Sequence, residues 1–194
     1  MKRINSIRAS WLLLIAVATV LLIASCNDNQ EDTKEIAEEY NDEKFDDKAQ
    51  EEDAEFLVMA AEINLKEIKL GELALQKGKA SHVKELGKMM VSDHTKSQKD
   101  LIALADSKGI TIPTSPTDDV NDAYTKLEKK SGSDFDKAYA DMMVDGHKDA
   151  IEAHKKGAED SDDAEIKNWA TGRLPSLQKH LDHSIECQKK CNKM

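Results

Sequence analysis

The stretch ITIPTSPTDD, residues 110–119, carries two of the chain's three prolines and stands between two long helical patterns. Proline fixes φ and has no N–H to donate, so this run of Pro, Ser, Thr and Asp is a loop. The link it opens, roughly residues 109–133, contains a short helical pattern through Val120, Tyr124 and Leu127. It closes at SGSD (131–134), where Ser133 or Asp134 can cap the next helix. A 25-residue helix is about 37 Å long, and this link is long enough to run the full length of such a bundle. The other two links are short, around Gly78 to Ser81 and at EDSDD (159–163). Short, long, short is the connectivity of an all-α, ferritin-like four-helix bundle with a long crossover between helices two and three containing a short extra helix. It makes helices two and three parallel.

Apolar periodicity supplies the four helices. The first, from Ala54, places Leu57, Ala61, Asn64, Leu65, Ile68 and Leu75 on one face at about 100° per residue, with Met59, Ile63 and Leu70 beside it. The second runs from a cap at Ser81 through Val83, Leu86, Met90, Leu101 and Leu104. The third passes through Phe135, Tyr139, Met143, His147, Ala150 and His154. The fourth uses Ile166, Trp169, Leu174, Leu177 and Leu181, with Pro175 inside it as an expected kink. Aromatic residues are only 4% of the chain, so the core is built from aliphatic side chains and methionine. MMVSDHTK (89–96) returns as MMVDGHKD (142–149), which gives His94 and His147 equivalent places at one level of the bundle.

Residues 1–53 read differently. Lys2, Arg3 and Arg8 precede the apolar run WLLLIAVATVLLIA (11–24), and IASC ends at Cys26. A basic start, an apolar run and small residues before a cysteine describe a lipoprotein signal peptide over 1–25, with Cys26 as the lipidated residue. Residues 26–53 hold 13 acidic and 3 basic side chains and read as an acidic, flexible tether. The bundle is expected over 54–194. Such a chain sits in the bacterial cell envelope, anchored by its N-terminal lipid to a membrane, the outer one, and faces the periplasm or the cell surface. A formal net charge of -10 excludes nucleic acid as a partner, and nothing in the sequence names a protein partner.

KEIKLGELALQKG (66–78), VKELGKMMVSDHTK (83–96), FDKAYADMMVDGHKD (135–149) and LPSLQKHLDH (174–183), in this order, resemble the bacterial exported lipoproteins that carry a ferritin-like domain of unknown function, domain 4142. The resemblance covers residue 54 to about 184. It implies a ferritin-like bundle and an exported location, and transfers no activity. It draws attention to Glu67, Gly71, Asp93, His94, His147, Pro175 and His180.

A di-iron site in this architecture needs a Glu-x-x-His pair on each of two helices. The residues three before the six histidines are Lys79, Val91, Val144, Ile151, Leu177 and His180, none acidic, which disfavours a di-iron oxidase and enzymes of that kind. No nucleophile or phosphate-loop motif is present either. The candidate site is instead a transition-metal ion (Zn, Cu or Fe) held by His94, His147 and His180, with Glu67. Met90 and Met143, each four residues before a histidine, with Asp93 and His154, are secondary candidates. The alternative is a metal-free core in which Asp93 or Glu67 simply holds a histidine and Asn64 and Glu72 join a polar network. The function is then a non-catalytic interaction or stress-protection module of the envelope. Cys187 and Cys191 are four apart, with Cβ atoms about 5–6 Å apart on a helix, wider than the roughly 3.5–4.5 Å of a disulfide. A distorted local redox pair, intermolecular bridging and free thiols all remain open.

Overall fold

In the computed structural model, residues 32–193 are described. The expected signal peptide over 1–25 and the lipidated Cys26 lie outside them. Six helices and no strand make up the described residues: α1 (Thr33–Lys44), α2 (Lys48–Lys77), α3 (Ser81–Lys108), α4 (Asp118–Glu128), α5 (Gly132–Asp160) and α6 (Ala164–Cys191). The four predicted long helices are α2, α3, α5 and α6, and the extra helix of the crossover is α4. Among the described residues no helix is long and apolar enough to cross a membrane.

α2 packs most heavily on α3 and α5 on α6, while α2 also meets α5 and α3 meets α6. The long helices therefore form a ring in the order α2, α3, α6, α5. α3 and α5 are parallel, as the crossover demands, but they stand across the diagonal of this ring rather than side by side. Equivalent positions on them face each other through the centre of the bundle.

Glycine sets the register of the α2–α3 hairpin. A Cβ on Gly71 would lie 2.9 Å from the Gly87 carbonyl oxygen, and one on Gly87 would lie 2.8 Å from the Gly71 carbonyl oxygen. Two backbones this close admit no side chain on either side. In an antiparallel pair that contact also fixes what lies further along: seven residues away on each helix stand Asn64 and His94.

Several local expectations need correction. The acidic segment is not a flexible tether throughout: residues 33–44 are helical, and α2 begins at Lys48 rather than Ala54. Ala37, Asn41 and Phe45, four apart, form a buried stripe that the excess of charge had masked. Asn41 Nδ2 donates to the Thr111 carbonyl at 2.8 Å, and Thr111 N donates back to Asn41 Oδ1 at 2.8 Å, which ties α1 to the crossover loop. Ser81 does not cap α3; buried Asp136 of α5 accepts from Lys79 N and Ala80 N instead, both at 2.8 Å. Neither Ser133 nor Asp134 caps α5, which starts at Gly132 behind Ser131. α6 stays helical through Pro175, which lies on its exposed face, where water can satisfy the carbonyl that loses its N–H partner. Glu72 is exposed and belongs to no core network.

The glycine contact gives a paired prediction. Gly71→Ala should lower stability by about 1–3 kcal/mol through overpacking, despite the helix propensity gained. Gly172→Ala, where a Cβ meets nothing within 4 Å, should be neutral or stabilise by up to about 1 kcal/mol. Urea midpoints of the two variants check both signs.

Candidate metal centre

Three histidines from three helices meet at one level of the bundle. The ring centroids of His94 (α3) and His147 (α5) are 5.7 Å apart, those of His94 and His180 (α6) 5.2 Å, and those of His147 and His180 5.3 Å. One ring nitrogen from each lies within 4.8 Å of one from each of the others. Their relative exposures are 3%, 1% and 2%, so no imidazole is bathed in solvent. The fourth long helix, α2, contributes Asn64 and Glu67.

Each ring is held by its other nitrogen, and the acceptors decide the tautomers. His147 Nδ1 donates to the Met143 carbonyl at 2.8 Å. His180 Nε2 donates to the Asp93 carboxylate at 3.0 Å. For His94 the acceptor is Asn64 Oδ1, 2.9 Å from Nδ1. The orientation of that amide is set in turn: Asn64 Nδ2 donates to Gln98 Oε1 at 3.2 Å, and Gln98 Nε2 donates to the Pro113 carbonyl at 3.3 Å. A carbonyl can only accept, so Gln98 presents its oxygen to Asn64 and Asn64 presents its oxygen to His94. With one nitrogen of each ring committed as a donor, the other nitrogen of a neutral imidazole is the one that carries a lone pair. Those nitrogens, His94 Nε2, His147 Nε2 and His180 Nδ1, are buried with no hydrogen-bond partner.

Burial favours the neutral form of His94 and of His180. Burial holds His94 well below the usual imidazole range, and the neighbouring His147 and His180 add to the shift. Burial also lowers His180, with Asp93 opposing. Glu67 is 4% exposed; its Oε1 is 3.9 Å from His147 Nδ1, on the side of that ring already bonded to Met143. Its other oxygen has no partner, and burial raises its carboxyl above the ordinary range. Glu67 thus stands behind His147 rather than among the converging nitrogens. A Cβ on Gly146 would come within 3.2 Å of Oε1, so the absence of a side chain there makes room for the carboxylate.

The donor set suits a transition ion. Three buried, unprotonated imidazole nitrogens fixed from behind by carbonyl, amide and carboxylate acceptors are what Zn, Cu or Fe takes, and the outer acceptors hold both tautomer and aim. Three lone pairs facing one another without a cation between them leave each buried acceptor unsatisfied, at a cost of about 1–3 kcal/mol apiece.

The other candidates lie elsewhere. Met90 and Met143 are fully buried in the apolar cluster around Leu70, Leu73 and Phe135. His154 is two turns beyond His147 and packs against Phe56 and Trp169, with ring centroids 5.5 Å away in each case, while its Nδ1 bonds the Ala150 carbonyl at 2.8 Å. Cys187 and Cys191 are both buried and free at the far end of α6. Gln98 was not anticipated, because its role depends on the crossover loop reaching α3. His82 was not anticipated either: it lies beside Cys191, with Nε2 3.4 Å from Sγ, a pairing across the bundle that no local spacing encodes.

A family model described as "Domain of unknown function (DUF4142)" matches residues 39–186. The chain belongs to this family. No curated protein and no solved structure matches it. The DUF4142 region contains His94, His147, His180 and all three groups that orient them, and it ends one residue before Cys187.

His154 yields a pH prediction for this DUF4142 domain. Burial lowers it from its ordinary value to about 4, so the unfolded chain binds its proton more readily than the folded one. The folded state should keep its full stability above about pH 6.5 and lose up to about 3 kcal/mol as pH falls from there through 4. His154→Phe should flatten that part of a plot of melting temperature against pH.

Proposed function

We propose that this chain is a lipid-anchored bacterial envelope protein whose ferritin-like four-helix bundle holds one transition-metal ion through His94, His147 and His180. The observation that carries the metal reading is the convergence of three buried lone pairs, each aimed by a hydrogen bond on the opposite side of its ring. The parallel α3 and α5, joined by a crossover that contains α4, support the ferritin-like reading. The basic start, the apolar run 11–24 and IASC support lipidation of Cys26 and an outer-membrane address.

Metal buffering or storage fits this site better than oxidation chemistry. Glu67 brings one buried carboxyl close to His147, but no Glu-x-x-His pair brings carboxylates among the nitrogens. The ion would join α3, α5 and α6.

Metal analysis of the full chain in detergent, purified without a His tag and carrying Cys187→Ser and Cys191→Ser, tests this. After loading with Zn, Cu or Fe and gel filtration, close to one equivalent of one of these ions should remain. His94→Gln with His147→Gln should remove it. Asp93→Ala and Asn64→Ala should each weaken binding by about 10–100-fold, because they release the rings from behind. Substoichiometric metal with every ion, in a chain whose circular dichroism stays helical, overturns the reading and leaves the bundle as an interaction or stress-protection module.

A further inference from the structure

A second group of soft ligands lies at one end of the bundle. His82 is in the first turn of α3, and Cys187 and Cys191 close α6; one ligand atom from each lies within 4.8 Å of the others. His82 Nε2 is 3.4 Å from Cys191 Sγ, and Cys187 Sγ is 4.0 Å from the His82 carbonyl oxygen. His82 precedes His94 by twelve residues on one helix, about 18 Å at 1.5 Å per residue, so this group is separate from the three core histidines.

Helical geometry distinguishes a metal site from a disulfide here. α6 remains helical to Cys191, and both cysteines are free and buried. Two side chains four apart on a helix share a face, but their Cβ atoms are too far apart for an unstrained bridge. The same spacing lets two thiolates grip one ion while the helix stays intact. A cavity of about 210 Å³, lined by His82, His183, Glu186 and Cys187 among others, opens beside this group. It provides a path from solvent and room for a fourth ligand, a water or one of the polar side chains at its wall.

We infer that His82, Cys187 and Cys191 form a second cation site, selective for a thiophilic d10 ion, zinc(II) or copper(I). Two thiolates and one imidazole are a soft, tetrahedral-type donor set, unlike the three imidazoles of the core. Binding displaces the two thiol protons to solvent, and no electron is transferred. The ion would pin the end of α6 to the start of α3, where the helix has no side-chain cap of its own.

Cobalt(II) is the probe, because only thiolate ligation gives an intense near-ultraviolet charge-transfer band. The full chain in detergent, carrying Cys26→Ser and kept reduced with a phosphine, is titrated with cobalt(II). The band should appear and saturate at one equivalent of thiolate-bound cobalt. It should lose about half its intensity in Cys187→Ser or Cys191→Ser and vanish in the double variant. His82→Ala should weaken the site by more than the roughly tenfold that loss of a supporting group costs. His94→Gln with His147→Gln should leave the band in place, so failure of the core site and failure of this one are told apart. Absence of the band in the reduced Cys26→Ser chain overturns the inference without any further substitution. So does unchanged affinity in His82→Ala, or a band lost with the core histidines while the helical circular dichroism persists.

Discussion

A carbonyl oxygen accepts hydrogen bonds and donates none, and at Pro113 that asymmetry fixes the polarity of the interior. Gln98 must turn its amide nitrogen to Pro113 and its oxygen inward; Asn64 must then do the same, and His94 must place its proton on Nδ1. Every step is a buried amide with one satisfying orientation, and reversing one would leave two buried groups mismatched. The Met143 carbonyl and the Asp93 carboxylate impose the same polarity on His147 and His180 by shorter routes. The chemistry available at the centre is therefore decided outside it, by acceptors on a loop, on a helix backbone and at a helix surface.

That relay works only if the helices hold their register. Asn64 faces His94 because Gly71 faces Gly87 seven residues away, and the two glycine backbones can meet in no other alignment without opening a gap. On the opposite side, His147 faces His180 in the antiparallel α5–α6 pair, and eleven residues along each helix Asp136 faces Cys191, whose Sγ lies 3.6 Å from the Asp136 carbonyl oxygen. Asp136 also secures the start of α3 through two backbone N–H groups. Both hairpins are thus tied to the level at which the histidines meet.

Much of this was legible in the order of residues, and the exceptions have physical causes. Helical periodicity placed His94 and His147 inside, and the repeated MMV motif put them at one level, because the period of a helix converts spacing directly into direction. The length of the 109–133 link implied parallel helices. It could not tell neighbours from diagonal partners, since that depends on which faces pair. α1 escaped notice because three buried positions among many acidic ones leave little compositional trace. Glu72 was placed inside because a wheel gives direction from the axis and not the width of the buried sector. Glu67 was legible as a carboxyl flanking the apolar stripe, a candidate ligand or histidine partner, but its position behind His147 follows from α2–α5 packing. Gln98 and His82 matter through partners 15 and 109 residues away, separations that no window along the chain can register.

α1 has a mechanical consequence. α1 is bound through Asn41 to both backbone groups of Thr111, two residues before Pro113. Thr33 reaches the Ser115 carbonyl on the same loop, and Asp32 accepts from Asp118 N at the start of α4. A pull along the N-terminal chain would therefore load the crossover loop directly, together with α2, which Lys34 meets through the Glu62 carboxylate at 2.8 Å. The loop so loaded carries Pro113, whose carbonyl anchors the amide relay. α1 and the aim of His94 are thus joined through one loop, Thr111 to Pro113, and two amides, Gln98 and Asn64.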